Sequence, residues 1–180
     1  YPAEWMAAFL DKEPEGRKEK AINIAKKFGF EIEPLNINTS GTVWEISPEQ
    51  KTLIQPLTSI KGLGEAAIAQ ILDNRPFENI EDFIFNDGIT YSKLNKKALD
   101  VLIRSQAANC LLDERFTSLK HFWASVAVER PKNRKKLNEN IEFFDNEEEF
   151  SAEEKIQYLV DLTGVFPIDL VLNNEVREKL

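Results

Sequence analysis

The stretch Ile60-Lys61-Gly62-Leu63-Gly64-Glu65-Ala66-Ala67-Ile68-Ala69-Gln70-Ile71-Leu72 holds the residues best suited to chemistry in this chain. That chemistry is anion binding. A glycine on each side of Leu63 permits positive φ and the close approach of another backbone. A helix starting near Glu65 leaves its first N–H groups without intrahelical partners and carries partial positive charge at that end. The amides of Gly62, Leu63, Gly64, Glu65 and Ala66 therefore suit a phosphate, with Lys61 as counter-charge. Taken alone, an ordinary helix start with a glycine turn explains these residues equally well.

No constellation for covalent chemistry accompanies it. Two-metal phosphoryl transfer needs clustered carboxylates, and the chain has no Asp-x-Asp. Asp145-Asn146-Glu147-Glu148-Glu149 lacks turn glycines and ordered spacing, so it reads as a solvated acidic run. His121, the single histidine, has no cysteine or second histidine to share a metal and reads as a packing or surface residue. Neither a Ser/His/Asp set nor a Walker-type loop is present. The expectation is a chain with no catalytic residue, no metal ligand and no cofactor of its own.

Composition agrees with a globular protein: 180 residues, 42% hydrophobic and 30% charged. No apolar run reaches the roughly 20 residues of a membrane span, so no membrane partner is expected. One cysteine, Cys110, excludes an internal disulfide and fits a reducing cytoplasm. The net charge of −8 is unevenly spread. Residues 137–180 carry 12 acidic and 3 basic side chains, whereas 1–136 carry 19 and 20. A basic face is therefore available in the first three quarters, and the last quarter repels polyanions.

The elements that must position these residues are mostly helical. Apolar spacing predicts helices over Tyr1–Leu10 and Lys18–Phe28, the second buried through Ala21, Ile22, Ile24, Ala25 and Phe28 and stopped by Gly29. Phe30-Glu31-Ile32 reads as a short strand. Val43–Ile46 and Thr52–Gln55 read as a β-hairpin with a turn at Ser47–Gln50. The helix after Gly64 ends before Pro76. Asn79, with Asp82 at N3, caps a helix carrying Ile80, Phe83 and Ile84. A turn at Tyr91–Lys97 leads into a helix with Ala98, Leu99, Leu102 and Ile103 inward. A helix follows over Phe116–Val128. Five basic residues within 130–136 read as a linker, and Asn140–Phe144 as an apolar island in a disorder-prone acidic stretch. Ser151 and Glu154 form a capping box for a helix to about Leu162, before Thr163-Gly164.

The glycine turn between helices is the pattern of a helix-hairpin-helix, a module that grips nucleic-acid backbone without reading bases. The turn at Ser92, Lys93, Asn95, Lys96 and Lys97 reads as a second, degenerate unit with lysines in place of glycines. Two such units packed back to back would bring both turns to one edge. The fold expected is mainly α with a small β-hairpin. It divides into 1–47, a tandem helix-hairpin-helix region over 48–113, and 114–180 with the basic linker, acidic tail and terminal helix.

In order, these features resemble the bacterial replicative DNA polymerase III alpha subunit, of the C family. Tyr1-Pro2-Ala3-Glu4-Trp5-Met6-Ala7-Ala8 is similar to a signature ending its fingers domain, which has Phe in place of Trp5. Pro34-Leu35-Asn36-Ile37-Asn38 with Ser40 resembles its Pro-x-Asp-(Val/Ile)-Asn segment, with Asn36 replacing the acid. Ile60–Glu65 falls on its first hairpin; Phe77–Phe83 and Lys93–Lys97 match the halves of its second. Departures are Pro56 for a Gly, Ser105-Gln106-Ala107-Ala108 for a Gly-Ala-Phe-Asp-like ending, and no His in the segment like Leu-Thr-Gly-His-Pro-Ile near Pro167. The resemblance covers 1–113 and thins beyond.

The resemblance implies a non-catalytic piece of a nucleotidyltransferase whose catalytic aspartates and Mg ions belong to a palm upstream. Its partners would be double-stranded DNA backbone and the rest of the polymerase chain. Asn140, Ile141, Glu142, Phe143 and Phe144 lie where such polymerases carry a sliding-clamp peptide, so a clamp is a further implied partner. Two alternatives stay open: a protein-interaction module with structural hairpins, and a stand-alone helix-hairpin-helix protein of DNA repair.

Overall fold

The computed structural model describes residues 2–13, 17–47 and 52–164. The break at 14–16, most of the turn at 48–51 and the segment around Pro167 lie outside the described residues.

Helices α1 (Pro2–Lys12) and α2 (Lys18–Lys27) pack against each other and against a small sheet. Gly29 adopts φ +88° just past α2, the left-handed stop expected of it. Strands β1 (Glu31–Glu33), β2 (Glu45–Ile46) and β3 (Thr52–Ile54) form a three-stranded sheet in the order β1-β3-β2. The β2–β3 pair is antiparallel, as the hairpin reading requires. Strand β1 adds to the free edge of β3 in parallel, which no local pattern announced. Met6, Leu10, Ala21, Ile22, Ala25, Trp44 and Leu53 make a first, small core. Ile24 and Phe28, expected inside, are exposed instead, because this core is only one sheet face wide.

A second, larger core runs from Leu35 to Leu162 and contains both hairpin units. Helix α3 (Glu65–Asn74) buries Ala67, Ile68 and Ile71. Helix α4 (Ile80–Ile84) is capped by the Asn79 side chain, which accepts from the Asp82 N–H, and the Asp82 carboxylate accepts from the Glu78 N–H. Helix α5 (Lys96–Arg104) is the most strongly two-faced, with Ala98, Leu99, Val101, Leu102 and Ile103 all buried. Asn38 ties the segment before the hairpins to α4: its side-chain amide donates to Phe77 O and its oxygen accepts from Phe77 N–H. Asn36 accepts from the Asn38 N–H at 2.8 Å, a bond that needs one acceptor oxygen and no charge, so an amide serves where the resembling family has an acid.

Helix α5 ends without a glycine. Gln106 takes the left-handed conformation at φ +66°, and its N–H donates to Ile103 O while Ala108 N–H reaches back to Leu102 O.

Helix α6 (Leu119–Trp123) begins later than the periodicity suggests, capped by Ser118, and widens into a π turn over Ala124–Val128. Helices α7 (Arg134–Phe143) and α8 (Ala152–Thr163) follow. The capping box of Ser151 and Glu154 is formed, and Gly164 ends α8 at φ +73°.

Two expectations for this region are overturned. The basic segment 130–136 is not a linker: Arg130 and Pro131 are buried, and Asn133 caps α7 by accepting from Lys136 N–H. The guanidinium of Arg130 donates at 2.7 Å to both Leu94 O and Ile84 O, so a cation counted as solvated in fact closes two backbone acceptors. Nor is the acidic run wholly solvated. The Glu149 carboxylate accepts from Leu119 N–H and Lys120 N–H at the start of α6, from Phe150 N–H, and lies 3.2 Å from the Lys155 ammonium. With Ser118 bonding His121 N–H, the first three amides of α6 are all satisfied.

Partial burial pushes the Glu149 carboxyl up, but these hydrogen bonds outweigh it and hold it below the usual range. Hydrogen bonds from Arg115 likewise lower Glu81 and Asp113. A carboxyl lowered in the folded state contributes stability above its unfolded pKa, and that contribution is lost as pH falls through the folded value. Urea midpoints are therefore expected to hold from pH 7 to about 5 and to fall below about pH 4. Glu149→Gln should lower the midpoint at pH 7 and flatten that acid limb.

Candidate nucleic-acid interface

The first hairpin is built by a 3-10 turn (Leu57–Ser59), the turn at Ile60–Leu63 and the start of α3. Leu63 is buried and anchors the turn, while Lys61, Gly62, Gly64, Glu65 and Ala66 are exposed. Gly62 adopts φ +89°, and Gly64 is the extended N-cap of α3 with no side chain to occupy the helix end. No bond pairs the N–H groups of Gly62, Gly64, Glu65 and Ala66 with an acceptor among the described residues. They form an open edge of donors at a ten-residue helix N-terminus. The Lys61 N–H is committed: it donates to Leu162 O at the end of α8, 2.8 Å away.

The second turn links α4 to α5. Ser92, Lys93, Asn95, Lys96 and Lys97 are all exposed. Asn95 holds a structural post, its side-chain oxygen accepting from Ala98 N–H as the N-cap of α5. Sequence reasoning missed what steadies this turn. Gln70 of α3 donates to the Thr90 hydroxyl and accepts from Thr90 N–H, and Gly88 leaves the space that the Asn74 side chain fills. Arg130 lies beneath, its guanidinium 5.0 Å from the centre of the Tyr91 ring. Glutamine at 70 and threonine at 90 carry no local signal of pairing, and Arg130 was hidden among like charges.

The two turns meet. A Cβ placed on Gly62 would lie 3.6 Å from Lys97 Cε and 3.4 Å from Val101 Cγ1. The end of the Lys97 stem from the second unit thus lies against Gly62 of the first, and both turns share one edge of the larger core. That arrangement can supply bare amides and ammonium groups to neighbouring phosphates on one strand or on two.

The segment Asn140–Phe144 is not a free peptide. Asn140 is 4% exposed and donates to Ser125 O at 3.0 Å and to Glu129 O at 3.4 Å. Ile141 O accepts from the His121 ring at 2.8 Å, and the other ring nitrogen accepts from Thr117 N–H. With Nδ1 accepting from Thr117 N–H, Nε2 is the ring nitrogen that donates to Ile141 O. Of the five residues, Glu142 and Phe143 are exposed, Phe143 at 78%, with Phe144 half-buried beside it.

Among the described residues no group of three or more His, Cys, Asp or Glu side chains is placed to hold a metal ion. No helix there is long and apolar enough to cross a membrane.

A 3-10 turn and α3 joined by a glycine turn, with α4 and α5 joined by a lysine-bearing turn packed against it, define a tandem helix-hairpin-helix unit. The family model for the helix-hairpin-helix motif matches residues 29–118, half of the chain, and the chain belongs to that family. Its relatives are polymerases. The DNA polymerase III subunit alpha of Aquifex aeolicus is 36% identical over 112 residues, 59% of this chain and 9% of the relative. The error-prone DNA polymerase of Corynebacterium glutamicum is 32% identical over 113 residues, 62% of this chain and 10% of the relative. The DNA polymerase III subunit alpha of Campylobacter jejuni is 27% identical over 189 residues, covering 92% of this chain and 15% of the relative. The chain therefore spans about a tenth of the length of the relatives it matches.

Proposed function

We propose that this chain is the duplex-holding segment of a C-family replicative DNA polymerase, binding sugar-phosphate backbone and catalysing nothing by itself. The observation that carries the reading is the open donor edge at Gly62, Gly64, Glu65 and Ala66, with the end of the Lys97 stem against Gly62. Lys61 stands on the first turn and Ser92, Lys93, Asn95, Lys96 and Lys97 on the second. Together they hold phosphates on two sides of one edge. Residues 2–47 continue into the rest of the polymerase chain in this reading, and the palm, with its aspartates and Mg ions, is supplied there.

Phosphate contacts position a duplex but carry no sequence information. Two duplexes of equal length and unrelated sequence are expected to bind with equal affinity. The log-log dependence on salt should have a slope of about −0.9 per phosphate contacted. Strong preference between the duplexes, or a flat salt response, refutes the reading.

A second reading concerns a sliding clamp, favoured by the exposure of Phe143 next to Phe144. Aromatic anchors presented at the end of α7 can fill an apolar pocket on a partner. Phe143→Ala is expected to weaken binding to a purified sliding clamp by about tenfold without moving the thermal midpoint. Unchanged clamp binding would assign the pair to this chain's own surface.

A further inference from the structure

Tyr91 is a large aromatic side chain held in place at the tip of the second hairpin and left 52% exposed. The turn around it is fixed from three sides. Gln70 pins Thr90 by two hydrogen bonds, the Thr90 and Ser92 hydroxyls lie 3.3 Å apart, and Leu94 N–H donates to Thr90 O. One face of the ring rests on the guanidinium of Arg130, a buried cation whose hydrogen bonds among the described residues go to the carbonyls of Leu94 and Ile84 and to no carboxylate. With that face covered, the exposed part of the residue is the rest of the ring and its hydroxyl. Lys93, Lys96 and Lys97, all exposed, follow Tyr91 within six residues.

An exposed ring on a lysine-bearing turn is the kind of arrangement by which proteins stack unpaired bases beside a backbone they hold by charge. We propose that Tyr91 is a stacking platform for one unpaired nucleobase, which completes an arginine–tyrosine–base sandwich. The inference rests on the backbone-binding reading above and adds a preference: duplex with a single-stranded extension is bound more tightly than blunt duplex.

The test is fluorescence anisotropy of the full chain with three probes: a blunt duplex, and the same duplex carrying six unpaired thymidines at the 5′ or the 3′ end. One extended probe is expected to bind about tenfold more tightly than the blunt one. Tyr91→Ala should erase that difference while leaving blunt-duplex affinity in place, and Tyr91→Phe should keep it. A 2-aminopurine in the preferred extension should be quenched on binding to the unaltered chain and not to Tyr91→Ala. Equal binding of all three probes overturns the platform and leaves duplex holding standing. A proportional loss of blunt and extended binding in Tyr91→Ala also overturns it. No binding of any probe by the unaltered chain overturns both.

Discussion

Lys61→Glu combined with Lys96→Glu is expected to reduce duplex binding by roughly a hundredfold at 0.1 M salt. The estimate takes two charge-assisted contacts, each of about 1.5 kcal/mol, as lost. The slope of log affinity against log salt should shrink in magnitude by about 1.8, the share of two phosphates. The double variant is also a clean one. Both side chains are exposed and neither takes part in an ion pair among the described residues. The contact of Lys61 with α8 is made by its main chain and survives the change. At Lys96, the first residue of α5, an acid complements the helix dipole and favours the fold by about 0.3–1 kcal/mol. Lost binding with an unchanged or raised urea midpoint would be a statement about the interface. Retention of duplex by the double variant in a shift assay would show that the two turns do not face DNA.

Arg130→Met should cost about 3 kcal/mol of stability. The side chain is 6% exposed, and its two 2.7 Å hydrogen bonds satisfy the carbonyls of Leu94 and Ile84. Methionine keeps much of the volume and strands both acceptors, each worth about 1–3 kcal/mol when left buried and unpaired. For a chain of this size the thermal midpoint should fall by about 6–12 °C. Arg130→Lys tests the geometry separately from the charge. A single ammonium lacks the planar fork that reaches two carbonyls, so it should recover only part of the loss. A midpoint unchanged in Arg130→Met would return the basic segment to the surface and remove the brace beneath Tyr91.

The features that proved legible are those decided within one turn of backbone. Asn79, Ser151 and Glu154 cap helices because a short polar side chain reaches an amide three residues on, wherever the rest of the chain goes. Gly29, Gly62 and Gly164 take positive φ because the chain must reverse at those places and a Cβ resists it. The strict apolar face of α5 allowed one orientation only. From these alone come the two hairpins and the mainly helical class, along with the resemblance that the relatives bear out.

What sequence could not supply are partners 15 to 50 residues apart, since composition treats a charge run as an average and a fold treats each member separately. Arg130 was one of five bases among seven residues, and only the arrival of two carbonyls from the second hairpin singled it out for burial. Glu149 was one of a run of acids until the start of α6 came to lie against it. Asn140 read as the head of a free peptide, yet the π turn left Ser125 O facing it. The sequence by itself determined which turns offer bare amides; the tertiary structure alone decided that these turns share an edge, because Lys97 meets Gly62 only once both units have packed on a common core.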